Sequence, residues 1–256
     1  MSYGAIIGDI VGSVYEWDRI KTKEFELFSP GCDYTDDSVC TAAVAHILLD
    51  DLPLAAQELR QWCRDHPYRG YGGLFSIWIH NDDMEPYNSY GNGAAMRVSP
   101  AAFLNRNRAL DEALASADRV TEITHNHPEG IKGARATTHA IWLAFQECRP
   151  EHIRRTIERE YGYDLSRNVD DIRPYYDFDE TCQKTVPEAI TCALESTSFE
   201  DAVRNAISLG GDSDTLAAIA GSIAEALHGI PRDLVEKAKR YLPSDIIEVI
   251  ERLYGR

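Results

Sequence analysis

The chain has 256 residues, of which 44% are hydrophobic and 27% charged, a composition typical of globular proteins with a sizeable core. Its 42 acidic residues outnumber its 26 lysines and arginines, and the formal net charge of −16 argues against binding of nucleic acid through a broad basic surface. No apolar run reaches the roughly 18 residues of a membrane-spanning helix, so we expect no membrane segment.

The six cysteines lie far apart in the sequence and include no CxxC pair. The first residues show neither the basic start nor the apolar stretch of a secretory signal. From these two features we expect reduced thiols and a cytoplasmic location.

Apolar residues recur with helical periodicity along most of the chain, and the alternation typical of strands is nearly absent. The pattern predicts an all-α fold, a compact orthogonal multi-helix bundle in one domain over residues 1–256. In chain order, the predicted helices cover residues 4–17, 38–49, 54–64, 94–104, 110–123, 130–147, 153–161, 187–195, 199–209, 214–227, 232–242 and 244–253.

Proline supports several of these helix starts, because its missing N–H costs nothing in the first turn. Four prolines lie near predicted starts: Pro53, Pro187, Pro231 and Pro243. Three segments, 24–37, 67–93 and 164–185, interrupt the helices and are rich in Gly, Pro, Asp, Asn and Tyr. Their aromatic content favours ordered loops around a pocket over disorder.

The first predicted helix carries Gly4, Gly8 and Gly12 on one face, each at a cost of about 1 kcal/mol relative to Ala. Such a face allows close approach of another backbone, and we expect it to pack on the small-residue helix that contains Ala217, Ala220, Gly221 and Ala224. Glu16 lies within this predicted helix only slightly away from the glycine face, so its carboxylate can point toward the acidic segments at residues 34–38 and 210–215. Asp9 is interpreted as a buried structural acceptor.

Two acidic segments precede apolar helices: residues 34–38 (YTDDS) and 210–215 (GGDSDT). Each segment alone is explained better by helix capping, since Ser, Thr and Asp accept hydrogen bonds from the first amides of a helix. Capping does not explain paired acids with a neighbouring hydroxyl that occur twice. Crowded carboxylates and hydroxyls are ligands for hard divalent cations such as Mg²⁺, so the two segments together favour a metal site.

Four segments together resemble the ADP-ribosylglycohydrolase family, which includes the dinitrogenase-reductase-activating glycohydrolases and the ADP-ribosyl-serine and ADP-ribosyl-arginine hydrolases. In the family's order, they are residues 8–16 (GDIVGSVYE), 34–38 (YTDDS), 89–97 (SYGNGAAMR) and 210–215 (GGDSDT). The resemblance implies an all-α fold and a site with two Mg²⁺ ions, or Mn²⁺ in some members. It implies Glu16 as a mobile acid beside six ligands: Thr35, Asp36, Asp37, Asp212, Asp214 and Thr215.

The resemblance also implies a ligand-binding loop of Ser89, Tyr90, Gly91, Asn92 and Gly93, which would wrap the diphosphate and ribose of ADP-ribose. An ordinary turn before the next helix explains this loop equally well. His125 matches the family position near the ligand phosphates. Tyr176 and Phe178 are candidates for stacking on adenine, although core packing explains either ring as well.

The implied reaction is hydrolysis of the C1″ glycosidic bond in an ADP-ribosylated protein side chain or a small ADP-ribose conjugate. We expect the enzyme to be a monomer. Glu16 or Asp36 would accept the proton of the attacking water. The cleaved linkage stays open among arginine, serine, O-acetyl-ADP-ribose and a nucleic-acid adduct. Two other functions also stay open: a di-metal nucleotide phosphohydrolase and a catalytically inactive ADP-ribose-binding protein.

Overall fold

The computed structural model describes residues 2–255, and these form fifteen α-helices joined by turns and loops. The helices are α1 Tyr3–Gly12, α2 Asp36–Leu49, α3 Ala55–Asp65, α4 Gly73–Ile79, α5 Gly93–Met96, α6 Ser99–Leu104, α7 Leu110–Thr121, α8 Pro128–Phe145, α9 Pro150–Tyr161, α10 Val169–Ile172, α11 Cys182–Leu194, α12 Phe199–Ile207, α13 Ser213–His228, α14 Arg232–Ala238 and α15 Ser244–Leu253. The predicted all-α fold is confirmed. Between residues 2 and 255 the β-type pairing is limited to an isolated bridge between Gly91 and Thr181.

Two predictions from the sequence, the lack of a membrane segment and the reduced thiols, concern all the described residues. None of the helices between residues 2 and 255 combines the length and apolar character that crossing a bilayer requires. All six cysteines are free, as the reduced-thiol prediction states. The single-domain organisation over residues 1–256 stays a prediction.

Helix α1 packs antiparallel on α13 through the predicted glycine face. A Cβ added to Gly4 would lie 2.3 Å from the carbonyl oxygen of Gly221, and one added to Gly8 would lie 2.0 Å from that of Ala217. At the end of α1, a Cβ on Gly12 would lie 2.5 Å from the Cα of Asp214. The glycines therefore set the spacing of the two helices, and the last of them brings the start of α13 against the end of α1.

We expect Gly8→Ala to destabilise the fold by about 3 kcal/mol, because the added methyl group meets backbone that cannot move without separating α1 from α13. Gly72→Ala is the matched control, since a Cβ there meets no atom within 4 Å. Chemical denaturation followed by far-UV circular dichroism measures both variants. Equal stability of Gly8→Ala and the wild type would contradict the packing argument.

Asp9 connects α1 to the start of α2 and lies fully buried. Its carboxylate accepts hydrogen bonds from the Thr35 amide at 3.0 Å, the Thr35 hydroxyl at 2.6 Å and the Ser38 amide at 3.1 Å, and also from the Ser38 hydroxyl. Burial, followed by the charge of Asp214, raises the pKa of Asp9 to about 7. The interpretation of Asp9 as a structural acceptor agrees with these contacts, and α1 therefore holds the starts of both α2 and α13.

Helix α1 ends at Gly12, five residues before the predicted end, so Glu16 lies in a turn and not on the glycine face. A local contact satisfies a carbonyl group in the last turn of the helix, and a contact from α13 holds the turn that follows. The Ser13 hydroxyl donates to the Ile10 carbonyl at 2.9 Å, and the Ser213 hydroxyl donates to the Tyr15 carbonyl at 3.2 Å. The helical geometry that we used to orient Glu16 is therefore wrong.

The predicted helix over residues 94–104 is divided into α5 and α6. Pro100 explains the break, because a proline ring inside a continuous helix would clash with the carbonyl group four residues earlier, that of Met96.

The predicted loop over residues 67–93 contains α4, and that over residues 164–185 contains α10. These short helices were missed because they hold too few residues to show helical periodicity.

Helix α11 begins at Cys182, five residues before the predicted start, and Pro187 lies inside it. The amide of Cys182 donates to the Tyr90 carbonyl at 2.9 Å, which fixes the earlier start. The proline leaves the carbonyl of Gln183 without its helical partner. Because Gln183 is exposed, water can hydrate that carbonyl.

Candidate active site

A cleft of roughly 360 Å³ opens where the turn after α1 and the starts of α2 and α13 meet the loops before α4 and α5. All six predicted metal ligands line it: Thr35, Asp36, Asp37, Asp212, Asp214 and Thr215. Glu16 lines the same cleft despite its position outside the helix. Four residues of the predicted ligand loop do so as well, namely Ser89, Gly91, Asn92 and Gly93, together with His125.

The acidic side chains from three parts of the chain converge in this cleft. One carboxylate oxygen from each of Glu16, Asp212 and Asp214 lies within 4.8 Å of the other two. The Thr215 hydroxyl lies 3.5 Å from Oδ1 of Asp37, which joins the start of α13 to the start of α2. The two acidic segments that the sequence separates by more than 170 positions therefore form one cluster.

The helix-capping explanation accounts for only part of this cluster. At the start of α2, the Thr35 side chain accepts the hydrogen bond from the Asp37 amide, so Thr35 is the cap. Asp212 occupies the cap position of α13, but its side chain accepts no hydrogen bond from that helix. It accepts one instead from the Asn92 side-chain amide at 2.7 Å. Asp214 accepts from the neighbouring amide of Thr215 at 3.0 Å.

Burial and mutual repulsion govern the ionisation of the cluster. Burial is the largest cause that raises the pKa of Asp36, Asp37 and Asp212 well above the usual range of a carboxyl group. The charge of Asp214 adds to the rise in all three. Burial and then Asp214 also raise the pKa of Glu16 to about 7. A bound cation would remove this repulsion.

The donor atoms present fit a hard divalent cation. Oδ2 of Asp37 is buried and has no hydrogen-bond partner among the described residues, so one strong acceptor is unsatisfied. The remaining groups around it are carboxylates and threonine hydroxyls, the oxygen ligands that Mg²⁺ and Mn²⁺ prefer. Among residues 2–255, the cluster that can hold an ion through three acidic or histidine ligands is Glu16, Asp212 and Asp214.

The loop from Ser89 to Gly93 is fixed between two neighbouring segments. The amide of Asn92 donates to the Glu180 carbonyl at 2.7 Å, and the amide of Ser89 donates to the Thr124 carbonyl at 3.4 Å. The Asn92 side chain also donates to the Thr185 hydroxyl at 3.1 Å. The loop is therefore a rigid wall of the cleft, and Asn92 connects it to the acidic cluster through Asp212.

The three predicted aromatic contacts do not line the cleft. Tyr90 is 47% exposed, and its ring lies 5.2 Å from that of His127. Tyr176 is buried beneath the turn before α13, where a Cβ on Gly211 would lie 2.3 Å from its ring. Phe178 stacks on the exposed Trp17 with ring centroids 5.7 Å apart. Adenine stacking on Tyr176 or Phe178 stays a prediction, and the buried position of Tyr176 argues for core packing.

Several cleft residues were not assigned a role from the sequence: Gly70, Gly72, Gly73, Leu74, Phe75, Tyr87, Met96, Arg97 and Glu180. Arg97 belongs to one of the four motifs, and this membership is a signal that could have identified it. The glycines between residues 70 and 73 are a weaker signal of close approach to a ligand. Glu180 belongs to the predicted loop over residues 164–185, but nothing in the sequence singles it out, because backbone pairing at Gly91 and Thr181 brings it to the cleft.

Comparison with known proteins agrees with this arrangement. Residues 1–256 match the ADP-ribosylglycohydrolase family over the full length. The chain is similar to ADP-ribosylhydrolase ARH3 of Homo sapiens, with 26% identity over 95% of this chain and 89% of that protein. It is similar to the ADP-ribosylarginine hydrolase Tri1 of Serratia proteamaculans, with 25% identity over 91% of this chain and 73% of that protein.

The fold is also similar to that of a solved structure, an ADP-ribosylglycohydrolase-related protein complex. The TM-score is 0.72 at 22% identity, over 99% of this chain and 95% of that chain. At this identity the likeness concerns the fold alone.

Proposed function

The chain belongs to the ADP-ribosylglycohydrolase family, an enzyme family of glycosidic-bond hydrolases, and from this we propose that it releases ADP-ribose from an ADP-ribosylated target with the help of two Mg²⁺ ions. The target is a modified protein side chain or a small ADP-ribose conjugate. Mn²⁺ is an alternative cation of the same ligand preference.

One observation carries the proposal: carboxylates from the starts of α2 and α13 and from the turn at Glu16 share one cleft with a rigid glycine-containing loop. The acidic end suits cations and the ribose hydroxyls that cations bind. The glycine-containing end suits a diphosphate, because backbone without side chains approaches an anion closely. ADP-ribose has both kinds of group in one molecule.

The cations would be held by Thr35, Asp36, Asp37, Asp212, Asp214 and Thr215. When bound, they supply positive charge that orients the distal ribose and water and that increases the acidity of water. The unsatisfied Oδ2 of Asp37 supports this assignment.

The protein's own groups must contribute most to the chemical step, because a cation does not stabilise a neighbouring oxocarbenium-like transition state. Glu16 lies in the turn after α1, half-buried at the cleft, with its carboxylate beside Asp212 and Asp214. From there it accepts the proton of the attacking water as a general base. Asp36 is the second candidate for this role. The loop of residues 89–93 and His125 hold the diphosphate and keep C1″ in place.

A panel of substrates tests the proposal: ADP-ribosyl-arginine peptide, ADP-ribosyl-serine peptide, O-acetyl-ADP-ribose and an ADP-ribosylated oligonucleotide. We expect free ADP-ribose from at least one of them in Mg²⁺ or Mn²⁺. EDTA should abolish this turnover, because the carboxylate cluster loses its cations, and added Mg²⁺ should restore it. Chromatography of the products measures free ADP-ribose.

The same assay separates the alternatives. Phosphate released from ADP-ribose itself would identify a nucleotide phosphohydrolase. Binding of ADP-ribose without turnover of any substrate would identify a binding protein. Full turnover by metal-stripped protein would contradict the metal-dependent mechanism.

A further inference from the structure

His125 forms part of the wall of the cleft. One of its ring nitrogens faces the loop of residues 89–93, and the other faces the interior of the protein. It is 5% exposed and sits behind the glycine-containing loop. A Cβ built on Gly93 would lie 3.3 Å from Nε2 of His125, and one built on Gly91 would lie 3.5 Å from it. Nε2 therefore faces the loop that we assign to the ligand, whereas Nδ1 faces the interior.

The interior side holds a hydrogen-bond chain of Arg97, Thr124 and His125, in which Arg97 can only donate. The guanidinium of Arg97 is 1% exposed and has only donors to offer. It donates to the Thr124 hydroxyl oxygen at 2.7 Å and to the Val120 carbonyl at 3.2 Å. The Thr124 hydroxyl, having accepted from Arg97, lies 2.7 Å from Nδ1 of His125 with its own proton free to donate.

The position of the Arg97 guanidinium decides the direction of the bond between Thr124 and His125, since a hydroxyl oxygen alone could accept from both neighbours. A guanidinium nitrogen of Arg97 also lies 3.5 Å from Nδ1 of His125. A proton on Nδ1 would point at this positively charged donor group, which is a repulsive arrangement, whereas a lone pair on Nδ1 accepts from the Thr124 hydroxyl and faces the positive charge. In a neutral imidazole the proton must then reside on Nε2.

We propose that Arg97 and Thr124 are positioning residues that hold His125 as the Nε2–H tautomer, so that a neutral imidazole donates a hydrogen bond into the cleft, to a phosphate oxygen of the ligand. The identity of the ligand rests on the proposed function. The tautomer rests on the contacts of Arg97, Thr124 and His125 alone.

The surroundings of His125 also keep the donor uncharged. Burial, and then the charge of Arg97, lower the pKa of His125 well below its usual range. The other titratable group against the ring is Tyr87, with centroids 6.2 Å apart, and burial raises its pKa to about 12. Neither neighbour changes charge near neutral pH, so the lowered pKa of His125 keeps the imidazole a neutral donor there.

The test is ¹⁵N NMR of the histidine rings in the full chain, combined with calorimetric titration of ADP-ribose. His125→Asn identifies the His125 signals among those of the eight histidines. We expect Nε2 to be protonated and Nδ1 unprotonated in the wild type across about pH 6–8. Thr124→Val keeps the side-chain shape but removes the donor to Nδ1. It should lower the population of the Nε2–H tautomer, because only the longer contact to Arg97 then faces Nδ1, and weaken ADP-ribose binding about tenfold. The melting temperature should fall as well, because the buried Arg97 loses an acceptor, so the tautomer is the readout that identifies the positioning role.

Thr121→Val is the matched control, because the Thr121 hydroxyl is equally buried, lies close in sequence and has no hydrogen-bond partner among the described residues. It should preserve both the tautomer and the affinity. A wild-type His125 protonated on Nδ1, or charged near pH 7, would overturn the proposal, as would wild-type tautomer and affinity in Thr124→Val. The expected tautomers without turnover of any conjugate would support the positioning role and contradict the proposed function.

Discussion

Asp214→Asn is expected to lose nearly all turnover and to retain the helical fold. The Asp214 carboxylate lies within 4.8 Å of ligand atoms of Glu16 and Asp212, so its loss removes charge from the centre of the cation site. The fall in kcat at saturating Mg²⁺ should exceed the roughly 10²–10³-fold that loss of a single preorganised polar group typically costs. Steady-state release of ADP-ribose measures it.

The same variant should increase the stability of the metal-free protein. After burial, the charge of Asp214 contributes to the raised pKa of Asp9, Asp36, Asp37 and Asp212, because the carboxylates repel one another. An uncharged amide relieves that repulsion, so the melting temperature in EDTA should rise, while stabilisation by added Mg²⁺ should decrease. The two changes of opposite sign are typical of a cation ligand.

Asp111→Asn provides the control. Asp111 is the second residue of α7, the same position that Asp214 has in α13, but Asp111 is exposed. Turnover of that variant should equal the wild-type rate. A near-wild-type rate for Asp214→Asn would show that Asp214 only satisfies an amide at the start of α13, since asparagine accepts such a hydrogen bond equally well.

Glu16→Gln is expected to lower kcat by about 10²–10⁴, the usual contribution of a general acid or base. Glutamine keeps the size of the side chain and removes its charge and basicity. Affinity for ADP-ribose should stay nearly constant, because the loop of residues 89–93 is unchanged. Turnover, ADP-ribose Kd and melting temperature are measured on the same preparation.

Asp18→Asn is the control for Glu16→Gln, because it removes one negative charge from the same segment at an exposed position outside the cleft. Its turnover should match the wild type. Unchanged turnover in Glu16→Gln together with a lower melting temperature would assign Glu16 a structural role and leave Asp36 as the general base.

The close pairing of α1 and α13 could be predicted before the structure was known. Three glycines at helical spacing disfavour a helix unless another backbone packs on them, and α13 carries a small-residue stripe of similar length. The acidic starts of α2 and α13 could be identified for a related reason, since repeated carboxylates beside hydroxyls are costly unless a cation or solvent compensates. In both cases a sequence pattern that is unfavourable by itself indicated the contact that stabilises it. The contact is a second helix backbone for the glycines and a cation for the carboxylates.

The position of Glu16 could not be derived in this way. The periodicity of the sequence predicts a first helix up to residue 17, whereas the helix ends at Gly12 and contacts from Ser13 and Ser213 hold the turn around Tyr15. The side chain reaches the acidic cluster through a turn. The family resemblance therefore identified the right region for Glu16, and the helical geometry first used to explain it was wrong.

By itself, the sequence determined the helical class, the packing of α1 on α13 and the two acidic helix starts, because each follows from periodicity or from local steric and electrostatic cost. Only the tertiary structure decided which groups meet across long separations. Asn92 donates to Asp212, and the chain from Arg97 through Thr124 directs His125 toward the cleft. The partner of a polar side chain depends on how distant elements pack, and no local pattern in the sequence contains that information.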